Sequence, residues 1–173
     1  MKRKTYSEEL NFVTLTVVDW LDIFTRRMYG DFVIKNLTYC QQNKGLRIYA
    51  YVIMTNHLHL IVKSKTNNLP DILRDFKTFT SKELVKLIER NSNESRKRWM
   101  LKIFKEHGKQ NKLNQNHQFW QNGNHPVALF SNKVIQQKID YIHDNPVKAG
   151  FVDHPENYHY SSANPLSPLQ VNV

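Results

Sequence analysis

The chain has 173 residues, with 25 lysines and arginines against 15 aspartates and glutamates and a formal net charge of +10. This length suits one domain with a sizeable hydrophobic core, and the charge favours a polyanionic partner such as nucleic acid. No apolar run approaches the roughly 20 residues of a membrane-spanning helix, residues 1–10 lack the apolar stretch of a signal peptide, and the single Cys40 excludes an internal disulfide and a cysteine-based zinc site. We therefore expect a protein of the reducing cytoplasm with no membrane partner.

The first half of the chain predicts a strand, a helix and a β-hairpin. Residues 11–20 alternate in polarity and are rich in β-branched side chains, which indicates a strand. Apolar residues at roughly helical spacing predict a helix over 31–43. Residues 46–54 and 57–64 are two further apolar strands. The pair 55–56, Thr-Asn, suits a tight turn between them, because Asn tolerates the left-handed conformation.

The second half of the chain predicts three helices and one short strand. A long helix is predicted over 69–91, with a proline near its start and an apolar stripe along one face. A second, very basic helix is predicted over 94–110. A polar loop then becomes a short strand around Gln118–Gln121. The last helix covers 131–150, with a serine cap at its start and the Asn145-Pro146 step at its end.

The order of these elements is β-α-β-β-α-(α)-β-α, which predicts the fold class. This order is that of an α+β protein with a ferredoxin-like (RRM-like) antiparallel sheet and helices packed on one face. The sequence shows no internal repeat and no low-complexity linker, so residues 1–162 are predicted to form a single domain. Residues 163–173 contain two prolines and little periodicity, and we expect an irregular tail there.

Two histidines, His57 and His59, lie inside an otherwise apolar strand. Because side chains alternate along a strand, both imidazoles point to the same face, with Cα atoms about 7 Å apart, while Leu58 and Leu60 point into the core. Two imidazoles at this separation can bind one divalent ion. A pair of hydrogen-bonded surface histidines is the alternative interpretation. A zinc site is not favoured, because the chain has no cysteine cluster and no His-Glu-x-x-His helix.

The last helix offers two further candidates. Ile135, Ile139 and Ile142 form its core stripe, and Tyr141 lies roughly 130° from the centre of that stripe at about 100° per residue. Asn145, four residues further on, shares the face of Tyr141. A phenol and a carboxamide one turn apart are a plausible nucleophile and a plausible oxygen ligand for a hard metal. An ordinary surface tyrosine is the alternative.

These motifs resemble those of a known family. The stretch 57–59, preceded by VIMTN, resembles the histidine motif of the HUH nucleases. Downstream, YIHDNPVKAG (141–150) followed by YHYSS (158–162) resembles the REP-associated tyrosine transposases, a branch of the single-tyrosine HUH (IS200-like) transposases that act on single-stranded DNA. The resemblance runs from about residue 11 to residue 162, and the histidine pair, the tyrosine segment and the final motif occur in the family's order and spacing.

The resemblance implies an HUH nuclease fold and a role for each of four residues. His57 and His59 would bind a divalent metal ion, Mg²⁺ or Mn²⁺, and Asn145 would complete the metal site. Tyr141 would attack a backbone phosphate of single-stranded DNA, which releases a 3′-hydroxyl and leaves a 5′-phosphotyrosine. The family also implies hairpins of repetitive extragenic palindromes as the DNA partner, and a cytoplasmic, nucleoid-associated protein. The chain departs from other single-tyrosine transposases at Asn145, where those often carry the longer Gln.

The sequence also offers candidate DNA contacts. Residues 71–112 carry twelve lysines and arginines against six acidic residues, which predicts a basic track for the phosphates. The expected members of the track are Arg74, Lys77, Lys82, Arg96, Lys97 and Arg98. A solvated helix face is the common alternative for any single one of them. Trp120 could stack on an unpaired base, although an aromatic pair such as Phe119-Trp120 is more often part of a core.

Two functions compete with the transposase hypothesis. A non-catalytic single-stranded nucleic-acid-binding module on the same fold would read bases with aromatic residues on the sheet and would bind without metal. A metal-dependent hydrolase would activate water, but Asp140 and Asp144 are its only nearby candidate carboxylates. Tyr158 and Tyr160 are alternative nucleophiles, which we rank below Tyr141 because they lie outside a regular element. The oligomeric state, monomer or homodimer, is left open.

Overall fold

The structure is a computed structural model that describes residues 9–113 and 116–173. Residues 1–8, at the start of the predicted domain, and residues 114–115, in the predicted polar loop, lie outside the described residues. The helices and strands of the described ranges are β1 (Leu10–Thr16), α1 (Arg27–Asn43), β2 (Leu46–Ile53), β3 (His57–Ser64), α2 (Leu69–Arg90), α3 (Lys97–Gln110), β4 (Val127–Leu129) and α4 (Asn132–Lys148). None of the helices in these ranges is both long enough and apolar enough to cross a membrane.

The four strands form one antiparallel sheet in the order β2-β3-β1-β4. This order is that of a ferredoxin-like sheet, and the predicted α+β fold class is confirmed. One face carries the main core, where Leu58 and Leu60 pack with apolar residues of α1 and α2. The opposite face carries a smaller core, in which Ile61 of β3 packs with Ile142 of α4. The prediction that the helices share one face therefore holds for α1 and α2 but not for α4, whose apolar stripe is buried on the other side of the sheet.

The hairpin between β2 and β3 forms where the sequence predicts it, but Asn56 acts differently from the expectation. Met54 N donates to the carbonyl of His57 over 2.8 Å and closes the turn. Left-handed residues occur instead in the segment after β1, at Asp19 (φ 52°) and Trp20 (φ 49°), and Asn56 is not among the positive-φ residues. The Asn56 carboxamide donates to the carbonyl of Trp20 over 3.2 Å, so its contribution comes from the side chain.

Strand β1 ends at residue 16, and the predicted strand up to residue 20 is wrong in its last part. Two short 3₁₀ turns, Val18–Trp20 and Ile23–Thr25, follow instead. Val18, Leu21 and Ile23 are buried in the main core. The β-branched side chains that predict a longer strand therefore pack in the core from a turn, and not from a strand.

The connection between α3 and α4 differs most from the prediction. The predicted strand over 118–121 is wrong, because this segment makes a single isolated bridge, between Val17 and Trp120. The fourth strand, β4, lies further along the chain and has only three residues. Gln118 N donates to the carbonyl of Phe104 over 2.9 Å, so the segment is fixed by contacts with α3 and the turns after β1 rather than by regular pairing.

Helix α4 begins as predicted and continues further than the proline suggested. Ser131 Oγ accepts a hydrogen bond from Val134 N over 3.2 Å, which is the predicted cap. The Asn145-Pro146 step does not end the helix, which extends to Lys148. Pro146 is buried together with Ile142 on the sheet, and this packing keeps the helix intact although a proline removes one backbone hydrogen bond.

The C-terminal segment covers the free edge of β2. Residues 160–162 pair with β2, through Ile53 N to the carbonyl of Tyr160 and Ser162 N to the carbonyl of Tyr51. Further on, Asn172 receives a hydrogen bond from Ile48 N on its side chain and donates its own N–H to the Ile48 carbonyl. Residues 163–173 form no helix or strand, yet they occupy backbone groups that an uncovered edge strand would expose.

Candidate active site

The two histidines lie side by side on the face of the sheet that α4 crosses. His57 and His59 are neighbours on this face of β3, with their ring centroids 4.8 Å apart. His59 is buried and stacks on Phe12 of β1 at a centroid distance of 5.2 Å. The strand alternation read from the sequence therefore places both imidazoles together, at the edge of the smaller core.

Each imidazole uses its Nδ1 atom within the protein. His57 Nδ1 lies 2.7 Å from Asn56 Oδ1, which can only accept, so His57 carries its proton on Nδ1. The orientation of the Asn56 carboxamide follows from its Nδ2, which donates to Trp20 O and Asp22 Oδ1. His59 Nδ1 lies 2.8 Å from Thr14 Oγ1. Within the described ranges, neither Nε2 atom hydrogen-bonds to another residue, so both remain available to an external ligand.

Burial keeps both imidazoles neutral. It lowers the pKa of His57 below its ordinary value. Burial lowers the pKa of His59 to about 3, with smaller contributions from the charge that His57 would carry if it were protonated and from Lys138. Neutral imidazole is the form that binds metal ions, and hydrogen bonds to Nδ1 fix the orientation of such ligands.

Tyr141 of α4 lies directly beside the histidine pair. Its ring centroid is 5.3 Å from that of His59 and 5.9 Å from that of Phe12, both in edge-on contact. The side chain is 41 % exposed, so the tyrosine is in contact with the site and still open to solvent. Lys138 Nζ lies 5.3 Å and Lys148 Nζ 5.9 Å from the Tyr141 ring centroid. Two cations thus flank the tyrosine, where a DNA phosphate would find positive charge.

The residues present fit a divalent ion, although they do not enclose one. Asn145 lies one turn beyond Tyr141 on α4 and is half-buried. In the described part of the chain its carboxamide makes no side-chain hydrogen bond, and no group of three or more His, Cys, Asp or Glu residues could hold a metal there. A metal site at this position would therefore rest on His57, His59 and Asn145, with its other ligands supplied by water or phosphate oxygens.

The predicted basic track divides into free and committed side chains. Arg74 pairs with Asp71 and Asp75, at 2.7 and 2.9 Å. Arg96 is held by the buried Glu94 and by the carbonyl of Asp22. Lys77 Nζ donates to the carbonyls of Gln121 and Gly123 at 2.8 and 3.1 Å, and burial lowers its pKa to about 8. These three cations therefore support the fold first.

The other members of the track are less constrained. Lys82 and Arg98 are exposed, and Lys97 is half-buried. Lys82 lines a groove of about 770 Å³ between α2 and residues 116–124, together with the polar side chains of His117, Asn122 and Asn124. Among the residues that the structure describes, no acidic side chain lines this groove. The carbonyl of Asn124 also accepts a hydrogen bond from Thr14 N over 2.9 Å, so the groove borders Thr14, the hydrogen-bond partner of His59.

Trp120 is not a stacking residue, which corrects the prediction. It is 3 % exposed, its Nε1 donates to Thr80 Oγ1 over 3.0 Å, and it packs on Phe24 and Phe119. The common interpretation of an aromatic pair as core is the right one here, because the tertiary contacts with α2 and the turns after β1 enclose both rings.

The two alternative tyrosines have structural partners. Tyr158 donates to the carbonyl of Ile53 over 2.9 Å, and burial raises its pKa to about 12. Tyr160 donates to Asp31 Oδ1 over 2.7 Å. Burial, and then this hydrogen bond and the negative charge of Asp31, raise the pKa of Tyr160. Neither hydroxyl is free to attack a phosphate, which supports their rank below Tyr141.

Sequence reasoning missed four residues around the site: Phe12, Thr14, Lys138 and Lys148. The register that sets Thr14 opposite His59 comes from strand pairing, which no single segment reveals. The sequence could have identified the two lysines, since both lie on the predicted last helix. Lys138 precedes Tyr141 by three residues, a spacing that makes side chains neighbours on a helix.

The fold and the positions of these side chains resemble a known class of protein. A ferredoxin-like sheet with two neutral histidines on one strand and a half-exposed tyrosine on the opposing helix is the arrangement expected of an HUH-type domain. Residues 21–102 match the model of a family described as "Transposase IS200 like", and this segment includes both histidines. Over this segment the chain is therefore similar to the IS200-like transposases.

Of the two solved structures described below, the first supports the fold. A structure described as the REP-associated tyrosine transposase bound to a REP hairpin is 18 % identical, with a TM-score of 0.65, and the match covers 94 % of this chain and 81 % of that one. A putative transposase from Deinococcus radiodurans R1 is 16 % identical, with a TM-score of 0.44 and coverage of 83 % and 98 %. No curated protein sequence matches this chain significantly.

Proposed function

We propose that this chain cuts and rejoins single-stranded DNA, with Tyr141 as the nucleophile and a 5′-phosphotyrosine as the covalent intermediate. The observation that carries the proposal is the contact of the Tyr141 ring with His59, across the interface between α4 and the sheet. A tyrosine of this kind needs both solvent access and a fixed position, and Tyr141 has both.

The chain's own residues suit the steps of this reaction. Lys138 and Lys148 attract the DNA backbone to the Tyr141 ring. The phenol oxygen then attacks the phosphorus atom, a bond forms between them, and the bond from phosphorus to the 3′-oxygen breaks. The phenol gives up its proton and the leaving 3′-oxygen takes one up. The phosphotyrosine retains a diester, so a second 3′-hydroxyl can displace Tyr141 and join two strands.

We propose that the reaction depends on Mg²⁺ or Mn²⁺, held by His57, His59 and Asn145. The free Nε2 atoms of two neutral imidazoles and a carboxamide suit such an ion, and Mn²⁺ somewhat better than Mg²⁺. When bound, the ion would polarise a non-bridging phosphate oxygen and offset the charge that develops during the attack.

We propose hairpin DNA of the REP type as the substrate, and action at the nucleoid of the cytoplasm. The fold neighbour with the REP hairpin supports this choice, as do the net charge of +10 and the acid-free groove that Lys82 lines. Of the six predicted members of the basic track, we propose Lys82, Lys97 and Arg98 as the phosphate contacts. The other three cations, Arg74, Lys77 and Arg96, are paired with groups of the protein itself, so they would contribute only positive charge.

The decisive experiment is a covalent-adduct assay. A pool of hairpin oligonucleotides with single-stranded flanks, labelled at the 5′ or the 3′ end, is incubated with the protein and Mn²⁺ or EDTA, and the products are separated on denaturing gels. We expect a metal-dependent protein band that carries the 3′-end label, because Tyr141 retains the 5′-phosphate of the downstream fragment. Tyr141→Phe should abolish the band. Tyr39→Phe is the matched control, because Tyr39 is an exposed tyrosine on α1, on the other face of the sheet.

The other results identify the competing functions. Strand cleavage without an adduct would make water the nucleophile and the protein a hydrolase. Binding that is equal with Mn²⁺ and EDTA, with no cleavage of any hairpin in the pool, would make the chain a non-catalytic binding module.

A further inference from the structure

Trp20 is an exposed indole in a strained backbone segment near the histidines. The residue is 66 % exposed, although large aromatic side chains are usually buried. Asp19 and Trp20 both have left-handed backbone conformations, with φ of 52° and 49°. Two consecutive non-glycine residues in this region are unfavourable and persist only where the surrounding structure holds them.

The surrounding structure does hold this segment. Val18, on one side of the strained pair, and Leu21, on the other, are buried in the main core. Asp19 Oδ1 lies 2.8 Å from His107 Nε2 of α3. The turn therefore has a fixed position, and the one large side chain that it leaves in solvent is the indole of Trp20.

Two hydrogen bonds connect this turn to the candidate active site. The Trp20 carbonyl accepts from Asn56 Nδ2 over 3.2 Å, and Asn56 Oδ1 accepts from His57 Nδ1 over 2.7 Å. Asp22, two residues after Trp20, also accepts from Asn56 Nδ2 and from Thr55 Oγ1. One carboxamide thus sets the position of the histidine and of the turn that carries the indole.

We infer that Trp20 is a stacking platform for one unpaired base of the DNA that flanks the cut phosphate. This inference rests on the proposed function and adds a contact to it. An exposed indole face is the group that proteins use to bind unpaired bases regardless of sequence, and rigid placement lowers the entropy that binding would otherwise lose. Two acidic residues lie near Trp20 in the sequence, and the carboxylates of both have hydrogen-bond partners within the protein. Asp19 is paired with His107, and Asp22 accepts from Thr55 and Asn56, which reduces the repulsion of a DNA strand.

Trp99 provides a natural comparison. It is 54 % exposed and lies in the regular helix α3. The hydrogen bonds of the described residues do not connect it with the histidine hairpin. Exposure of an indole alone therefore does not distinguish Trp20, whereas the strained turn and the link through Asn56 do.

The test measures DNA binding in a Tyr141→Phe background, which prevents cleavage. The probe is a fluorescein-labelled hairpin with oligo(dT) flanks, together with copies in which a single abasic position is moved along the flanks, and the readout is fluorescence anisotropy. We expect Trp20→Ala to raise Kd by about tenfold, in line with the loss of one stacked base. The Kd of Trp20→Phe should lie between the values for the Trp20 protein and for Trp20→Ala. Trp99→Ala should leave Kd unchanged. At one position in the flank, removal of the base should weaken binding to the Trp20 protein, because this is the base that would stack on the indole. The same abasic probe should bind Trp20→Ala no more weakly than the intact probe does.

Each outcome has a separate meaning. Equal affinity of the Trp20 and Trp20→Ala proteins, or an abasic profile that the substitution does not alter, would overturn the stacking role and leave the proposed function intact. Failure of the Tyr141→Phe protein to bind any probe would contradict the proposed function and the stacking role together. Thermal unfolding of Trp20→Phe, which retains an aromatic ring in the same turn, separates lost stacking from lost folding.

Discussion

Thr14 fixes the orientation of His59 through one hydrogen bond, from a position on the neighbouring strand. The Thr14 hydroxyl lies 2.8 Å from Nδ1 of the imidazole. In known metal sites, removal of such a hydrogen-bond partner lowers the metal affinity by about 10- to 100-fold. We therefore expect Thr14→Val, which keeps the shape of the side chain, to weaken Mn²⁺ binding by roughly tenfold in an isothermal titration. Folding should be unaffected, as judged by circular dichroism.

Thr16→Val is the matched control for this prediction. Thr16 lies on the same strand and the same face, opposite His57 in the register, and His57 Nδ1 already has Asn56 as its partner. The control should bind Mn²⁺ as the unchanged protein does. Equal losses in both variants would show that the strand face, and not the hydrogen bond to His59, determines the affinity.

At the same scale, the sequence identifies residues whose chemistry is local and misses those whose environment is tertiary. The spacing of His57 and His59 and the off-stripe position of Tyr141 predict a shared site, and the structure brings the three side chains together. Trp120 shows the opposite case. Its ring packs on Phe24, which is distant in sequence, and its indole N–H donates to Thr80 of α2. The adjacent Phe119 favours a core position, but the groups that enclose the ring belong to other parts of the chain.

Glu94 connects three elements through one buried carboxylate. It pairs with Arg26 at 2.6 Å and Arg96 at 3.0 Å, and it accepts from the Tyr29 hydroxyl over 3.2 Å. Burial alone would raise the pKa of Glu94, but the hydrogen bonds from Arg96 and Arg26 outweigh it and lower the pKa to about 2. The cluster ties the start of α1 to the connection between α2 and α3.

This cluster predicts a pH-dependent loss of stability in Glu94→Gln. Because the folded-state pKa lies below the ordinary value of 4.5, the contribution of Glu94 is complete above pH 4.5 and is lost as the pH falls towards 2. In urea denaturation at pH 7 we expect Glu94→Gln to lose on the order of 3 kcal/mol of unfolding free energy. The difference from the unchanged protein should shrink steadily below pH 4.5. The exposed Glu89→Gln should change little at either pH, and a pH-independent difference would contradict the assigned role.

Among the elements, the accuracy of the predicted bounds varies: α1 begins four residues before its predicted start at residue 31, and α3 begins three residues after its predicted start at residue 94. Helix α2 and strands β2 and β3 carry patterns of eight residues or more, and their observed bounds differ from the predicted ones by one residue at most. Strand β4 has three residues, too few for an alternating pattern. The extension of α4 past Pro146 depends on packing against the sheet, which outweighs the local preference of the residue before a proline.

At the scale of the whole molecule, the C-terminal segment packs against α1, near the other end of the chain. Tyr160 packs on Gly30, where an added Cβ atom would lie 2.8 Å from Cζ of the tyrosine ring. We expect Gly30→Ala to destabilise the protein by about 1–3 kcal/mol in urea denaturation through overpacking, although alanine favours a helix by about 1 kcal/mol over glycine. An unchanged or higher stability would show that the C-terminal segment can shift away from α1 at little cost.

If the chain binds DNA as proposed, its net charge of +10 contributes to the affinity as a whole, and the salt dependence of binding distinguishes direct phosphate contacts from this long-range attraction. Each phosphate contact contributes about 0.7 to the slope of log K against log salt for single strands. If Lys82 contacts a phosphate in the groove between α2 and residues 116–124, Lys82→Ala should lower the slope by about 0.7. The slope is obtained from anisotropy titrations at several NaCl concentrations, with a Tyr141→Phe background to prevent cleavage.

Lys35→Ala removes the same charge from the other side of the molecule. Lys35 is exposed on α1, where it borders an apolar groove between α1 and α2. The two variants have equal net charge, so they weaken any long-range attraction to the same formal extent, while a direct phosphate contact affects only one slope. A lower slope for Lys82→Ala and an unchanged slope for Lys35→Ala would place the strand in the groove that ends beside Thr14. Equal slopes would instead mean that Lys82 contributes only to the long-range attraction and makes no direct phosphate contact.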